Sequence, residues 1–178
     1  MSRILKRIAA GVVIAGVAAL LLAAGGIAAG ARVNTTKSIP VGLYWTSSAP
    51  VEKGAYVLFC PPQLGVFDDA KERGYIGAGF CQGGYGYMMK RVLAAKDDAV
   101  AVADDGVRVN GELLPLSAPI KADKAGRPLP RYQSNSYTLG NSEVLLMSDV
   151  SATSFDGRYF GPINRSQIKT VIRPVITW

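Results

Sequence analysis

The longest hydrophobic stretch of the chain lies at its N-terminus. Residues 8–31 form 24 consecutive positions without a charged or strongly polar side chain. As a helix this segment would measure about 36 Å, which exceeds the roughly 30 Å hydrocarbon core of a bilayer. Residues 1–7 carry basic side chains. The pattern therefore predicts a transmembrane anchor with residues 1–7 in the cytoplasm and residues 32–178 on the opposite side.

A cleaved signal sequence is the alternative interpretation of the same segment. Its most apolar part, residues 12–22, has the length of a signal-sequence core. Ala29-Gly30-Ala31 offers the small residues that a signal cleavage site requires. Both interpretations export residues 32–178.

Beyond residue 32 the apolar positions come in short runs that turn residues separate. Such runs, rich in β-branched and aromatic residues, are typical of strands. The candidate strands are Val51–Phe59, Tyr87–Leu93, Ala99–Val102, Val107–Val109, Glu143–Met147 and Thr170–Ile176. Asp104-Asp105-Gly106, between two of these runs, is a hairpin turn signal.

Helical and irregular segments are few in the same region. Short helical turns are predicted only at Asp68–Arg73 and Asn164–Ile168. Residues 117–142 are rich in Pro, Ser, Lys and Asn with little periodicity, so they predict an irregular excursion between strands. Because strands and helices do not alternate, the pattern predicts one mainly β, antiparallel domain over residues 32–178.

Charge and composition exclude several classes of function. The net charge is +7, and three of the positive side chains precede the apolar segment, which leaves +4 on the rest. These charges are scattered, so nucleic acid is not an expected partner. The chain has no histidine, which removes a Ser-His-Asp triad, a Cys-His pair and most zinc sites. We expect no metal and no cofactor.

A serine nucleophile without histidine needs another base, and a neutral lysine is the usual substitute. At a reference pKa of about 10.4, only about one lysine in 2,500 is neutral at pH 7. Burial against apolar surface can lower that pKa. Lys90 lies inside the apolar run Tyr87–Leu93, which favours such burial. A lysine in a strand more often faces solvent, so this pattern alone leaves both interpretations open.

Three segments, in this order, resemble motifs of the type I signal peptidase family. Residues 36–44 place a Ser-x-Pro sequence directly after the apolar segment; residues 90–114 begin with Lys-Arg-Val and lead into an Asn-Gly hairpin; residues 147–161 contain S-x-D-x-R-x-x-G. The most similar subgroup is that of the conjugative-transfer maturation peptidases, whose nucleophile segment reads S-x-P-x-G-x-Y, as residues 38–44 do. The resemblance covers residues 36–178. It implies an antiparallel signal-peptidase-like β-fold with few short helices behind one N-terminal transmembrane helix.

The resemblance also implies catalytic roles. Ser38 is expected to be the nucleophile and Lys90 its general base. Thr36 takes the place of a small hydroxyl residue that helps to bind the oxyanion, together with the backbone N–H of Ser38.

Supporting roles follow from the C-terminal motif. Ser154 is expected to hydrogen-bond to Lys90 and orient it, while Asp156 and Arg158 form an ion pair beneath the site. Cys60 and Cys81 form a disulfide or remain buried thiols; export to an oxidising compartment permits the disulfide.

The implied function is maturation of a conjugative pilin precursor by a periplasmic serine endopeptidase that is anchored in the inner membrane. The acyl-enzyme would react with water, or with an amine to give a cyclic product. Other conjugative transfer proteins are further expected partners. A general type I signal peptidase and a catalytically silent assembly subunit are the alternatives. The segment Ser148–Ser151, where signal peptidases usually carry Gly-Asp-Asn-Arg, argues against general signal-peptide processing.

Overall fold

The computed structural model describes residues 3–178. The chain divides into two compact units, residues 1–32 and residues 33–178. The first contains helix α1 (Arg3–Ala29), which has no buried residue. Its length and apolar composition are sufficient to cross a membrane.

The remaining elements are mostly short strands. In the described part of the chain the strands are β1 (Ala31–Asn34), β2 (Gly42–Ser47), β3 (Tyr56–Phe59), β4 (Met88–Ala94), β5 (Ala99–Ala103), β6 (Gly106–Val109), β7 (Glu112–Leu113), β8 (Ser134–Thr138), β9 (Glu143–Met147), β10 (Ile163–Asn164) and β11 (Ile168–Thr177). The helices are α2 (Gly65–Glu72) and α3 (Gly157–Phe160), with 3₁₀ turns at Gln82–Gly84 and Arg165–Gln167. The predicted mainly β fold with few helices is confirmed.

A seven-stranded sheet in the order β1-β2-β11-β3-β4-β9-β10 carries the central part of the fold. Strand β4 pairs antiparallel with β3, where Lys90 lies opposite Val57, and with β9, where Arg91 lies opposite Met147. Along β4 every second residue is buried, beginning with Met88. Since side chains alternate between the faces of a strand, Lys90 shares the buried face with Val92.

A smaller sheet has the order β7-β6-β5-β8. The predicted hairpin joins β5 to β6, and Val100 lies opposite Val109 in their register. Gly106 has φ +144°, and a Cβ built there would lie 2.7 Å from Ser117 Oγ, so the turn requires glycine.

The predicted irregular excursion at residues 117–142 contains a strand that the sequence pattern did not indicate. Ser134–Thr138 forms β8 and pairs with β5, with Tyr137 opposite Val100. Four of its five residues are exposed. Backbone hydrogen bonds to β5 therefore hold this strand in place. Because such pairing does not require alternating apolar side chains, the sequence pattern could not predict it.

The largest core cluster packs β3, β4 and β9 against α2. Cys60, which follows β3, and Cys81, which precedes the first 3₁₀ turn, form a buried disulfide. Of the two states that the sequence left open for these cysteines, the structure contains the disulfide. It ties the segment that includes α2 to the end of β3.

Candidate active site

Lys90 is a buried lysine whose side chain hydrogen-bonds to one other side chain of the described residues. Its side chain is 4% exposed, and its Nζ donates a hydrogen bond of 2.9 Å to Ser154 Oγ. Burial lowers the pKa of Lys90 from 10.5 to about 8, because the ammonium loses its hydration; the nearby Asp156 carboxylate opposes this decrease and the Arg158 guanidinium adds to it. A larger fraction of Lys90 is therefore neutral near pH 7 than of a solvated lysine.

Asp156 and Arg158 form an ion pair with no solvent exposure. Arg158 Nε donates to Asp156 Oδ1 at 2.8 Å, and Arg158 Nη2 donates to Asp156 Oδ2 at 3.0 Å. This is the bidentate geometry typical of a guanidinium–carboxylate pair. Asp156 also accepts from the backbone N–H of Ser148 at 3.0 Å. The remaining guanidinium protons bind backbone carbonyls, those of Leu116, Ala152 and Ser151. The pair thus holds together the backbone around the segment that carries Ser154.

We expect Asp156→Asn to lower the free energy of unfolding by about 3–5 kcal/mol, because it leaves a buried guanidinium without its counter-charge. Urea unfolding of the detergent-solubilised protein measures the loss. Asp105→Asn is the matched control, since Asp105 pairs with Arg108 on the surface and exposed pairs contribute little. Equal midpoints for both variants and the wild type would contradict the structural role of the buried pair.

Ser38 lies in the loop between β1 and β2, half-buried. Its Oγ is 3.2 Å from the carbonyl oxygen of Met89, to which it donates, and 2.9 Å from Thr36 Oγ1. Within residues 3–178 no direct hydrogen bond joins Ser38 to Lys90. Both residues line one cavity of about 450 Å³.

The structure therefore brings four of the sequence-predicted residues into one cavity: Thr36, Ser38, Lys90 and Ser154. Asp156 and Arg158 are fully buried and do not line this cavity. The disulfide cysteines do not line it. The Thr36 hydroxyl contacts Ser38 Oγ and also donates to Asn34 Oδ1 at 3.0 Å.

Two residues that hydrogen-bond to Ser38 or Thr36 were not singled out from the sequence. The carbonyl of Met89 accepts from Ser38, and a backbone contact of this kind leaves no signal in the side-chain pattern. Asn34 hydrogen-bonds to the backbone N–H of Thr36 at 3.2 Å. An asparagine side chain that accepts from the backbone N–H two residues later forms a known type of turn. Asn34 could therefore have been recognised from the local sequence.

A mainly β fold that places a loop serine and a buried lysine in one cavity is consistent with a peptidase that functions without histidine, and the chain belongs to the signal peptidase, peptidase S26, family, whose model matches residues 2–178. The predicted family membership is thus confirmed. The chain is 99% identical, over the full length of both proteins, to the plasmid transfer protein TraF of Escherichia coli. It is 35% identical over 168 residues to the conjugal transfer protein TraF of Agrobacterium fabrum, covering 92% of this chain and 93% of that protein.

Among solved structures, the signal peptidase I of Enterococcus faecalis aligns with a TM-score of 0.40 and 16% identity. The alignment covers 71% of this chain and 100% of that one.

Proposed function

We propose that the protein is a serine endopeptidase with a Ser38–Lys90 dyad that matures a membrane-delivered pilin precursor in a conjugative transfer system. The observation that carries the proposal is Lys90, a buried lysine of lowered pKa in the same cavity as a loop serine. Membership in the signal peptidase family supports the peptidase activity. The conjugal and plasmid transfer names of the relatives support the biological setting.

The first chemical step is acylation of Ser38. At a pKa of about 8, about one Lys90 in ten is neutral at pH 7, compared with about one in 2,500 for a solvated lysine. The Ser38 hydroxyl turns from Met89 towards Lys90 Nζ and attacks the substrate carbonyl as Lys90 takes its proton. Lys90 then gives this proton to the leaving amine, which breaks the peptide bond and leaves an ester on Ser38.

The developing oxyanion needs hydrogen-bond donors aimed at its position. The backbone N–H of Ser38 and the Thr36 hydroxyl are the donors that we propose. To act in this way, the Thr36 hydroxyl rotates so that the hydrogen bond it donates to Asn34 Oδ1 is donated to the oxyanion instead, while the proton stays on Thr36. Ser154 keeps Lys90 Nζ directed into the cavity through their hydrogen bond.

The second step releases the acyl group. Water gives a linear product with a free carboxylate, and the amine at the substrate's own N-terminus gives a cyclic one. Lys90 removes the proton of either acceptor as it attacks the ester carbonyl, and gives that proton to Ser38 Oγ when the ester C–O bond breaks. The two outcomes differ by the mass of one water.

Mass spectrometry of the pilin from cells with and without the protein tests the proposal. The expected result is a product that is shorter than the precursor only when the protein is present; a cyclic product is lighter than the corresponding linear one by one water. Pilin of the same mass in both strains would contradict the proposed function. It would favour a silent assembly subunit instead.

We further propose that α1 anchors the peptidase in the inner membrane, with residues 33–178 in the periplasm. The length and apolar composition of α1 support this placement, as does the family. Ser38 follows nine residues after α1 ends at Ala29, and a chain of that length spans at most about 30 Å, so the tether keeps the nucleophile within that reach of the bilayer, where a membrane-inserted substrate presents its chain.

A truncated protein that begins at Val33 is therefore expected to process membrane-inserted pilin about 10–100 times more slowly than the anchored enzyme, because it loses the effective concentration that the membrane provides. A short soluble peptide with the same cleavage sequence should be cleaved at similar rates by both forms. Parallel rate measurements on the two substrates check this. Equal rates on the membrane-inserted substrate would contradict the anchoring argument.

A further inference from the structure

Asn34, at the end of β1, is a buried side chain whose polar atoms are all engaged. It is 4% exposed. Its Oδ1 accepts from the backbone N–H of Thr36 at 3.2 Å and from Thr36 Oγ1 at 3.0 Å. Its Nδ2 lies 2.7, 3.0 and 3.1 Å from the carbonyl oxygens of Thr36, Ile39 and Pro40 and donates to all three, so one of its two N–H groups is shared between two carbonyls. One amide therefore holds three residues of the same loop.

The orientation of this amide follows from the chemistry of its partners. A flipped amide would turn Oδ1 towards three carbonyl oxygens and Nδ2 towards an N–H donor, and each of these contacts would be repulsive. Only the observed orientation satisfies every partner. It requires both a donor and an acceptor on one short side chain, and asparagine is the residue that supplies them at this length.

The contacts of Asn34 fall on both sides of Ser38 in the chain. Thr36 lies two residues before Ser38, while Ile39 and Pro40 directly follow it. Tyr44 is fully buried and also restrains this loop, because its hydroxyl donates to the Pro40 carbonyl at 2.6 Å. Burial, with smaller contributions from the nearby Tyr56 and Asp149, raises the pKa of Tyr44 to about 12, so it remains a donor at neutral and moderately alkaline pH.

Asn34 also affects the direction of the Ser38 hydroxyl. Thr36 has one hydroxyl proton, and when it donates this proton to Asn34 Oδ1, Thr36 Oγ1 can only accept from Ser38. The Ser38 proton is then shared between Thr36 Oγ1 and the Met89 carbonyl. Asn34 thus acts on the nucleophile through the backbone of the loop and through the Thr36 hydroxyl.

We propose that Asn34 is a positioning residue for the nucleophile: it holds the loop so that Ser38 Oγ lies where Lys90 can take its proton and the substrate carbonyl can be reached. This inference rests on the proposed role of Ser38. Asn34 acts through its hydrogen bonds to the loop and takes no part in the proton transfer itself.

The test compares acylation of Ser38 in the full-length, detergent-solubilised wild type and Asn34→Ala. The probe is an N-acetyl-alanine thioester, which transfers its acyl group to serine and releases a thiol; peptide mapping by mass spectrometry locates the modified residue. We expect the acylation rate constant at saturating probe to fall about 10–100-fold, since misplacement by about 1 Å has effects of that size. The half-saturating probe concentration should change by less than about twofold, because the buried Asn34 offers the probe little surface.

The pH profile separates positioning from general disruption. Lys90 lies on β4 and has no hydrogen bond to Asn34 in the described residues, so the rate of Asn34→Ala should still rise through the same apparent pKa as that of the wild type. Collapse of the site would admit water to Lys90 and move this apparent pKa towards 10.5. A lower rate with a displaced profile would therefore contradict a positioning role.

Two further variants complete the design. Asn34→Asp keeps the shape and can still accept from Thr36, but it has no donor for the three carbonyls at neutral pH, so the same loss is expected even if Asn34→Ala folds poorly. Asn164→Ala is the control: Asn164 is exposed and accepts from the backbone N–H of Ser166 at 2.9 Å, and its loss should leave acylation unchanged. Rates are compared per folded molecule.

The outcomes distinguish the inference from the function on which it rests. If the wild type is acylated at Ser38 and either folded Asn34 variant matches its rate within about threefold, the positioning role is wrong and the dyad stands. If the wild type is not acylated at Ser38 at all, both are wrong.

Discussion

Replacement of Ser38 by alanine is expected to abolish pilin processing, with a loss of at least about 10⁴-fold, because no acyl-enzyme can form without the hydroxyl. The substitution removes one oxygen from a half-buried loop position whose backbone is held by other residues. The fold and the membrane location should therefore stay unchanged. The measurement is the mass of the pilin in cells that produce the variant, together with labelling of the purified protein by the thioester probe.

Ser166→Ala is the matched control for this prediction. Ser166 is an exposed serine that does not line the cavity, so its loss should affect neither processing nor labelling. Processing at the wild-type rate by the Ser38→Ala variant would remove Ser38 as nucleophile. Labelling that persists in this variant would point to another serine.

Replacement of Lys90 by arginine or methionine is expected to reduce pilin processing by at least about 10⁴-fold, as for Ser38→Ala. Arginine keeps the positive charge but is not deprotonated in proteins, so it cannot act as base. Methionine has no titratable group. The wild-type rate should rise about tenfold per pH unit up to pH 8 and then level off, since only the neutral form of Lys90, with a pKa of about 8, accepts the proton. An active arginine variant, or a wild-type rate that is constant between about pH 5 and pH 9, would exclude Lys90 as the base.

Replacement of Lys90 by methionine should also stabilise the folded protein near neutral pH. Because the pKa of Lys90 is about 8 in the folded chain and 10.5 for an ordinary lysine, the unfolded state binds about one more proton between these pH values, and stability rises with pH across this window. Below pH 8 the buried ammonium costs about 3 kcal/mol relative to the neutral amine. Lys90→Met removes this cost and loses one hydrogen bond to Ser154, worth about 1 kcal/mol.

We therefore expect Lys90→Met to raise the free energy of unfolding by about 1–3 kcal/mol at pH 7, and we expect this gain to disappear as the pH approaches 10.5. Denaturant unfolding of both proteins at several pH values measures it. A variant that is less stable than the wild type at pH 7 would contradict this prediction. It would mean that interactions of the buried ammonium of Lys90 offset the free-energy cost of its lost hydration. Together with the loss of activity, a stabilised variant would show that the buried lysine is kept for chemistry.

The class of the protein was accessible from the sequence because it depends on local patterns. An uninterrupted apolar segment predicts a helix long enough for a membrane, and α1 has that length. Short apolar runs between turn residues predict antiparallel strands, which the two sheets confirm. The absence of histidine excluded the commonest serine mechanisms. The order of three motifs was sufficient to predict the family.

The sequence did not reveal the environment of these residues, because it is made by contacts between distant parts of the chain. Whether Lys90 faced solvent or the interior depended on the register of β4, and the lowered pKa depends on that burial. Its partner Ser154 lies 64 positions further along the chain, and the Met89 carbonyl that accepts from Ser38 lies 51 positions from that serine.

Two other features became visible only in three dimensions. Strand β8 exists because β5 offers it a backbone partner, and its Ser-Asn-Ser-Tyr-Thr sequence carries no alternation that would predict it. The three carbonyls that Asn34 binds converge only after the loop has closed between β1 and β2. A sequence records which side chains are available, whereas burial, hydrogen-bond geometry and pKa arise from the neighbours that the sheets bring together.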